Sequence, residues 1–364
     1  PEKAALEWEQ FDQSVRPNPF IKLQVARAHL SGGDSVKAGA ALDQAIIASS
    51  NRLDTVAIEA RLLRARLHVE GRTPAVAVES LQRLLSITNV LEARILLIDA
   101  QRGAGRLDEA VATCQGLIRD HPDRPAFPLM LGMLLREQGR MADARNAFRR
   151  ELELSPGSLM ALYQLVDLEI AATNAPAALK TVQTELARTN SAALKYLEGR
   201  ALAAQRLWPQ AQASLEESIG LNPQFSLAYQ LLADIHIANT NLAGAARQLE
   251  ELISKKTNDV QSMAILGTLY ERMDQPEQAR AKYERILEIN PQFVPALNNL
   301  AYLYTERLPQ LERAHELAQK ARQLVPEDPS VMDTLAWVLH KRGEDQQALP
   351  LLREAAQRVP GNAE

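Results

Sequence analysis

An all-α solenoid built from stacked helix pairs is the fold this sequence predicts, on three observations. Apolar residues recur at three- and four-residue spacing in short segments that come two at a time, which is the period of helices and not of strands. The paired segments themselves recur every 33 to 35 residues from Leu91 to Pro329. One place in every recurrence is alanine: Ala38, Ala77, Ala110, Ala144, Ala178, Ala211, Ala245, Ala279, Ala314 and Ala348, with an insertion allowed at Ala77 and Ala314.

The clearest unit runs from Val260 to Asn290 and is closed by Pro291. Met263, Leu266 and Tyr270 share one face of a first helix. After a break at Asp274–Pro276, Ala279, Tyr283, Ile286 and Leu287 share one face of a second. Gly267 and Ala279 are small, and they are expected to face each other where two antiparallel backbones approach closely.

The other elements follow from this register. Residues 1–18 place Ala4, Trp8, Phe11 and Val15 at helical spacing before Pro17 and Pro19, as the second helix of an incomplete repeat would. From residue 19 the template fits again, with Val25 and Ala26 in the first helix, Gly33 in the turn, then Ala38 and Leu42. The unit from Leu53 runs on through LLRARLHVEG before Pro74 and Ala77 restore the register. This excess of about four residues predicts an extended helix or a looser turn. Further units start at Leu91, Pro125, Leu159, Ala192, Ser226, Val260, Val294 and Pro329, making ten repeats over 19–360 and leaving a tail at 361–364. Pro122, Pro156, Pro223, Pro291, Pro326 and Pro360 end second helices, because proline lacks the N–H that the next turn needs.

Composition narrows the function classes. The chain has 364 residues with 41 basic and 45 acidic, net −4, a balance that gives no reason to expect a nucleic-acid partner, since binding along a phosphate backbone needs clustered positive charge. A single cysteine, Cys114, cannot form an internal disulfide; in register it matches Tyr283 and reads as a small buried hydrophobe. No apolar run approaches the roughly twenty residues of a bilayer span. The sequence starts at Pro1, which suggests a processed protein or an excised fragment.

A 34-residue helix–turn–helix unit with Leu-Gly/Ala (Leu266, Gly267), Tyr270, Ala279, an aromatic or Leu (Tyr283) and Pro291 at these spacings resembles the tetratricopeptide repeat, and the resemblance covers nearly the whole chain. It implies a right-handed superhelix of about ten repeats whose first helices line a concave surface. The sequence departs from the pattern in places. Glu198 replaces the leucine beside Gly199, Ile98 and Val166 replace the small residue, and the unit from Leu53 fits poorly, which puts the packing of those units in question.

No catalytic constellation is found, and no cofactor or metal is expected. His29, His68, His121, His236, His315 and His340 are scattered over separate repeats without metal-ligand spacing. Gly103 and Gly105 form a G-x-G fragment with no strand before it, and Gly105 falls, like Gly139 and Gly343, at the turn between two helices. The expected function is therefore a non-enzymatic protein-interaction scaffold that binds a protein or peptide in the concave groove.

The resemblance carries groove contacts over repeat by repeat. They fall on Tyr163 and Asp167, Tyr196 and Arg200, Gln230 and Asp234, Thr268 and Arg272, then Asn298, Asn299 and Tyr302, and finally Asp333 and Trp337. Asparagine amides can bond an extended backbone, while Tyr302 and Trp337 offer rigid apolar area. The chaperone-binding members of the family grip a C-terminal carboxylate with lysine, arginine and asparagine. Here Gln230, Asp234, Asn298 and Tyr302 hold those places, which argues against a chaperone adaptor.

The stretch from Ala296 to Pro360 also resembles repeats of large bacterial tetratricopeptide lipoproteins and scaffolds of exopolysaccharide export, including those linked to the PEP-CTERM/exosortase system. That resemblance implies a periplasmic or outer-membrane-associated protein whose parent is lipid-anchored. The alternatives are a cytoplasmic assembly adaptor or regulatory module, and less so an RNA-binding protein or part of a larger enzyme. Leu349, Leu352 and Ala355 on the last helix, with Trp8 and Phe11 at the start, are expected to stay uncovered. The natural protein is accordingly expected to continue in both directions or to associate end to end.

Overall fold

A computed structural model describes residues 18–49 and 54–358, together with residues 3, 4, 6–8 and 11. Most of the 1–18 segment, Leu53, Pro360 and the 361–364 tail lie outside the described residues. The chain divides into two compact units, Pro1–Leu168 and Glu169–Glu364. The first contains α1 (Pro19–Ser31), α2 (Ser35–Ala48), α3 (Thr55–Glu70), α4 (Pro74–Leu85), α5 (Leu91–Gly103), α6 (Leu107–Asp120), α7 (Ala126–Glu137) and α8 (Met141–Leu154). The division falls within α9 (Leu159–Ala171). The second unit continues with α10 (Ala175–Leu186), α11 (Ala192–Ala204), α12 (Trp208–Leu221), α13 (Ser226–Ala238), α14 (Leu242–Lys255) and α15 (Val260–Arg272). After these come α16 (Pro276–Ile289), α17 (Val294–Glu306), α18 (Leu311–Leu324), α19 (Pro329–Lys341) and α20 (Asp345–Arg358). Odd-numbered helices are the first members of pairs, even-numbered the second, and the described residues contain no strand.

Local chemistry sets the helix ends. The side chains of Asn18, Asp34, Asp54, Ser191, Asn241, Asp259 and Asp328 each accept a hydrogen bond from a first-turn N–H, satisfying donors that have no partner within the helix. Between the helices of a pair one residue usually turns left-handed. It is glycine at Gly33, Gly105, Gly139 and Gly343, but Arg72, Thr173, Arg206, Thr240 and Asp274 adopt the same conformation. First helices run 12 or 13 residues except α3, which has 16, so the excess in that repeat is an extended helix.

The register alanines form the spine of the core. All ten are buried, none more than 3% exposed. Of the groups around Gly267, the one that comes nearest to the space it leaves is the Tyr283 ring. A Cβ on Gly267 would lie 2.5 Å from Tyr283 Cε1 and 2.7 Å from Cζ. A Cβ on Gly199 would likewise meet Leu215 Cδ2 at 2.8 Å, and Phe148 fills the space beside Gly132. The small residue on the first helix thus makes room for a large side chain four residues after the register alanine. The departure at Ile98 follows the same volume rule, since the residue four after Ala110 is the small Cys114, and both are buried in one cluster. Burial pushes the Cys114 thiol up to about 12, so it is an inert core side chain. Glu198 is accommodated differently: its Oε2 accepts from Lys195 Nζ and Ser214 Oγ, each at 3.1 Å.

The ends are better covered than expected. Ala355 is buried and Leu352 packs, half-buried, on the second unit's main cluster, leaving Leu349 at 49% exposure. Trp8 packs against the α1–α3 cluster and meets Phe11 edge-on at 6.2 Å, while Phe11 stays exposed.

Candidate binding face

The candidate site in the second unit is assembled from the outward sides of α11, α13, α15, α17 and α19. It rests on a buried hydroxyl. Tyr283 is wholly buried in α16, yet its Oη donates to Glu271 Oε1 at 2.5 Å and accepts from Asn299 Nδ2 at 3.4 Å, with Thr268 Oγ1 3.3 Å away. One side chain of the second helix therefore ties its own first helix to the first helix of the next repeat.

Above this floor the exposed aromatics stand on consecutive first helices. Tyr302 is 47% and Trp337 36% exposed. Trp337 Nε1 donates to Glu306 Oε1 at 2.7 Å, Lys341 Nζ reaches the same carboxylate at 2.9 Å, and the ammonium lies 4.8 Å from the indole centroid. Those two hydrogen bonds, Lys341 first, hold the Glu306 carboxyl below the usual range. Glu306 and Lys341 were not among the sequence-predicted contacts, although each lies four residues after one of them and so shares its face. A cavity of about 250 Å³ opens beside Tyr302, lined also by Glu271, Pro276, Leu303, Glu306 and Arg307. Arg307 is ion-paired with the turn residue Asp274.

The remaining expected contacts divide by burial. Thr268, Arg272, Asp234 and Asp333 are exposed. Local crowding still desolvates the Asp234 carboxyl and raises its pKa. Gln230 is half-buried and donates to Ser262 Oγ at 3.3 Å, joining α13 to the start of α15. Asn299 is turned inward by its bond to Tyr283, and Asn298 is half-buried with Oδ1 enclosed and unpartnered. Tyr196 corrects the expectation outright: it is 8% exposed, edge-on to Phe225 at 5.5 Å, with the Arg200 guanidinium 5.8 Å from its ring centroid. It supports the face and leaves Arg200 to present it. Tyr163 and Asp167 lie half-buried on α9 in the first unit.

Burial raises the Glu271 pKa, with the Tyr283 bond and then Arg307 pulling the other way. The folded chain therefore holds this proton more readily than the unfolded chain. Ionised Glu271 opposes folding fully above its raised pKa, and the penalty vanishes below the ordinary glutamate value, about 4.3. Glu271→Gln keeps an acceptor for Tyr283 and removes the charge. Urea denaturation should show the variant more stable than the parent near pH 7, with the difference closing as pH falls to about 4.

Among the described residues no group of three or more His, Cys, Asp or Glu side chains is placed to hold a metal ion, and no helix is long and apolar enough to cross a membrane.

The family model described as tetratricopeptide repeat matches residues 62–125, 95–158, 129–193, 196–259 and 266–329, which together span more than half of the chain. A TPR repeat-containing protein of Pseudomonas aeruginosa is 25% identical over 152 residues, covering 42% of this chain and 26% of that protein. The CTR9 homolog of Arabidopsis thaliana is 24% identical over 278 residues, 70% of this chain and 25% of that protein. The chain thus spans about a quarter of the length of these curated relatives. Among solved structures, yeast Tom70 aligns over 98% of this chain and 88% of its own with a TM-score of 0.52 and 14% identity, a likeness of fold.

Proposed function

Because the chain belongs to the tetratricopeptide repeat family, whose fold mediates protein–protein interaction, we propose that it is a non-enzymatic scaffold holding a segment of a partner protein on the first-helix face of its second unit. The observation that carries this reading is the pair of exposed aromatics, Tyr302 and Trp337, linked across α17 and α19 through Glu306 and Lys341. Rigid aromatic area beside oriented charges is the composition of interaction hot spots. Asp234, Arg272 and Asp333 add charges of both signs around it, suited to a partner segment of mixed charge.

The scaffold's setting is proposed to be a bacterial envelope or exopolysaccharide secretion assembly. The likeness of residues 296–360 to repeats of such scaffolds supports this. The test is site-specific photo-crosslinking in cells. A photoreactive residue at Arg272 or Asp333 should capture a partner protein, and one at Arg285, exposed on the second helix α16, should not. Capture from Arg285 alone would place the interaction on the opposite face.

A further inference from the structure

Five residues after the register alanines Ala38 and Ala279 stand Asp43 and Glu284, and at both places a cleft opens between two successive second helices above the intervening first helix. The two clefts have similar volumes, about 430 and 450 Å³, and opposite chemistry. In the second unit the cleft over α17 is acidic and internally engaged. Tyr304 Oη donates to Glu284 Oε1 at 2.6 Å, and the Arg313 guanidinium lies 5.1 Å from the Tyr304 ring centroid. In the first unit the cleft over α3 is basic: its described lining sets Arg61, Arg64 and Arg83 against one carboxylate, Asp43.

This basic cleft is a built feature. Arg64 is clamped by Asp43 through two bonds, Nε to Oδ1 at 2.7 Å and Nη2 to Oδ2 at 3.0 Å. Its guanidinium lies over Gly39, where a Cβ would come within 3.3 Å of Nη1, so the absence of a side chain at 39 creates its seat. Arg61 is tethered by Nη1 donating to Ala57 O at 2.8 Å. Arg83, largely exposed on α4, borders the cleft, and among the described residues its neighbour of opposite charge is Glu79 at 3.9 Å. The single clamped carboxylate leaves the cleft an excess of positive charge. Its lining is not uniformly polar, since Ile46, the buried Leu84 and the exposed Ile87 also border it. The extra turn of α3 supplies His68, whose Nδ1 lies 2.9 Å from Thr73 Oγ1. Burial, aided by Arg64, pushes the His68 pKa down, so at neutral pH the ring is uncharged.

Guanidinium groups in a cleft of this size match an oxyanion, and the apolar part of the lining matches a hydrocarbon portion attached to it. We propose that the α2–α3–α4 cleft binds a small organic anion, its phosphate or carboxylate group held by Arg61 and Arg83 beside the clamped Arg64 and its apolar part against Ile46, Leu84 and Ile87. This site lies in the other unit from the partner-binding face, and it stands whether or not that face binds a protein.

The test uses the full 364-residue chain with labelled histidine, phenyl phosphate and benzoate as probes, and inorganic phosphate and a short aspartate-rich peptide as controls. Phenyl phosphate or benzoate should shift the His68 ring resonances saturably, and whichever binds more tightly identifies the oxyanion. Arg61→Gln/Arg83→Gln should weaken binding at least tenfold with the melting temperature unchanged. Ile87→Asp, at an exposed position, should weaken it as well and repeats the test should the arginine variant prove unstable. No saturable shift, or one undiminished in these variants, overturns the site. Inorganic phosphate binding as tightly as phenyl phosphate overturns the organic-anion assignment, and so does tighter binding of the peptide through the same arginines.

Discussion

Leucine at position 267 is expected to be among the most destabilising single changes in the second unit. Already the first carbon of the new side chain falls 2.5 Å from the Tyr283 ring, which has no room to retreat. That ring is wholly buried, and its hydroxyl is fixed by Glu271 and Asn299. Overpacking of this kind costs about 1–3 kcal/mol and occasionally more. Gly267→Ala should cost less, because the better helix propensity of alanine returns up to about 1 kcal/mol. The chain itself indicates the remedy: in the preceding repeat the same two places hold Ala233 and Leu249, both buried in one cluster. The double variant Gly267→Ala/Tyr283→Leu should therefore be less destabilised than the sum of its single changes. A favourable coupling of about 0.5–3 kcal/mol is the range for residues in contact. The readout is the melting curve together with hydrogen exchange of α15 and α16, since a repeat array can open locally. Additive single-variant effects would show that Gly267 and Tyr283 do not compete for one volume.

The helix pairs were legible because each rests on a short-range signal that recurs. The period, the register alanines and the closing prolines are all readable without knowing what touches what. Which large residue fills the space beside a small one is a tertiary fact. Spacing placed Gly267 on the right face, but sequence could not show that the Tyr283 ring comes nearest to it. The exposure of the candidate face was legible to the same depth. Helical spacing located Thr268, Arg272, Tyr302, Asp333 and Trp337 on the outward side, and all are exposed. It failed for Tyr196, because the burial of that ring depends on Phe225 in the following turn, and for Asn299, because a hydroxyl beneath it turns its amide inward. The basic cleft was invisible for a related reason. Asp43, Arg61 and Arg83 lie on three different helices, and only folding brings them to one cavity.

Replacing Tyr302 and Trp337 together by alanine is expected to weaken partner binding by about 2 kcal/mol or more, roughly thirtyfold, if they are central anchors of the interface. Both rings already expose substantial area, so their burial by a partner yields apolar contact without opening the core. The energetic balance differs between them. Tyr302 borders a cavity and can be truncated with little effect on folding. Trp337 also donates to Glu306 and covers Lys341, so its loss leaves the Glu306–Lys341 pair intact but unshielded, exposed to solvent and screened by salt. Binding by Trp337→Ala should for that reason become more sensitive to ionic strength than binding by Tyr302→Ala. Arg285→Ala on the second helix α16 serves as the control and should leave affinity within about 0.5 kcal/mol of the parent, as expected for a position outside the contact. The measurement is titration calorimetry against the protein captured by crosslinking, at two salt concentrations, with circular dichroism to show that each variant keeps its helix content. A folded double variant that binds as well as the parent would remove the aromatic pair from the interface and with it the assignment of the first-helix face.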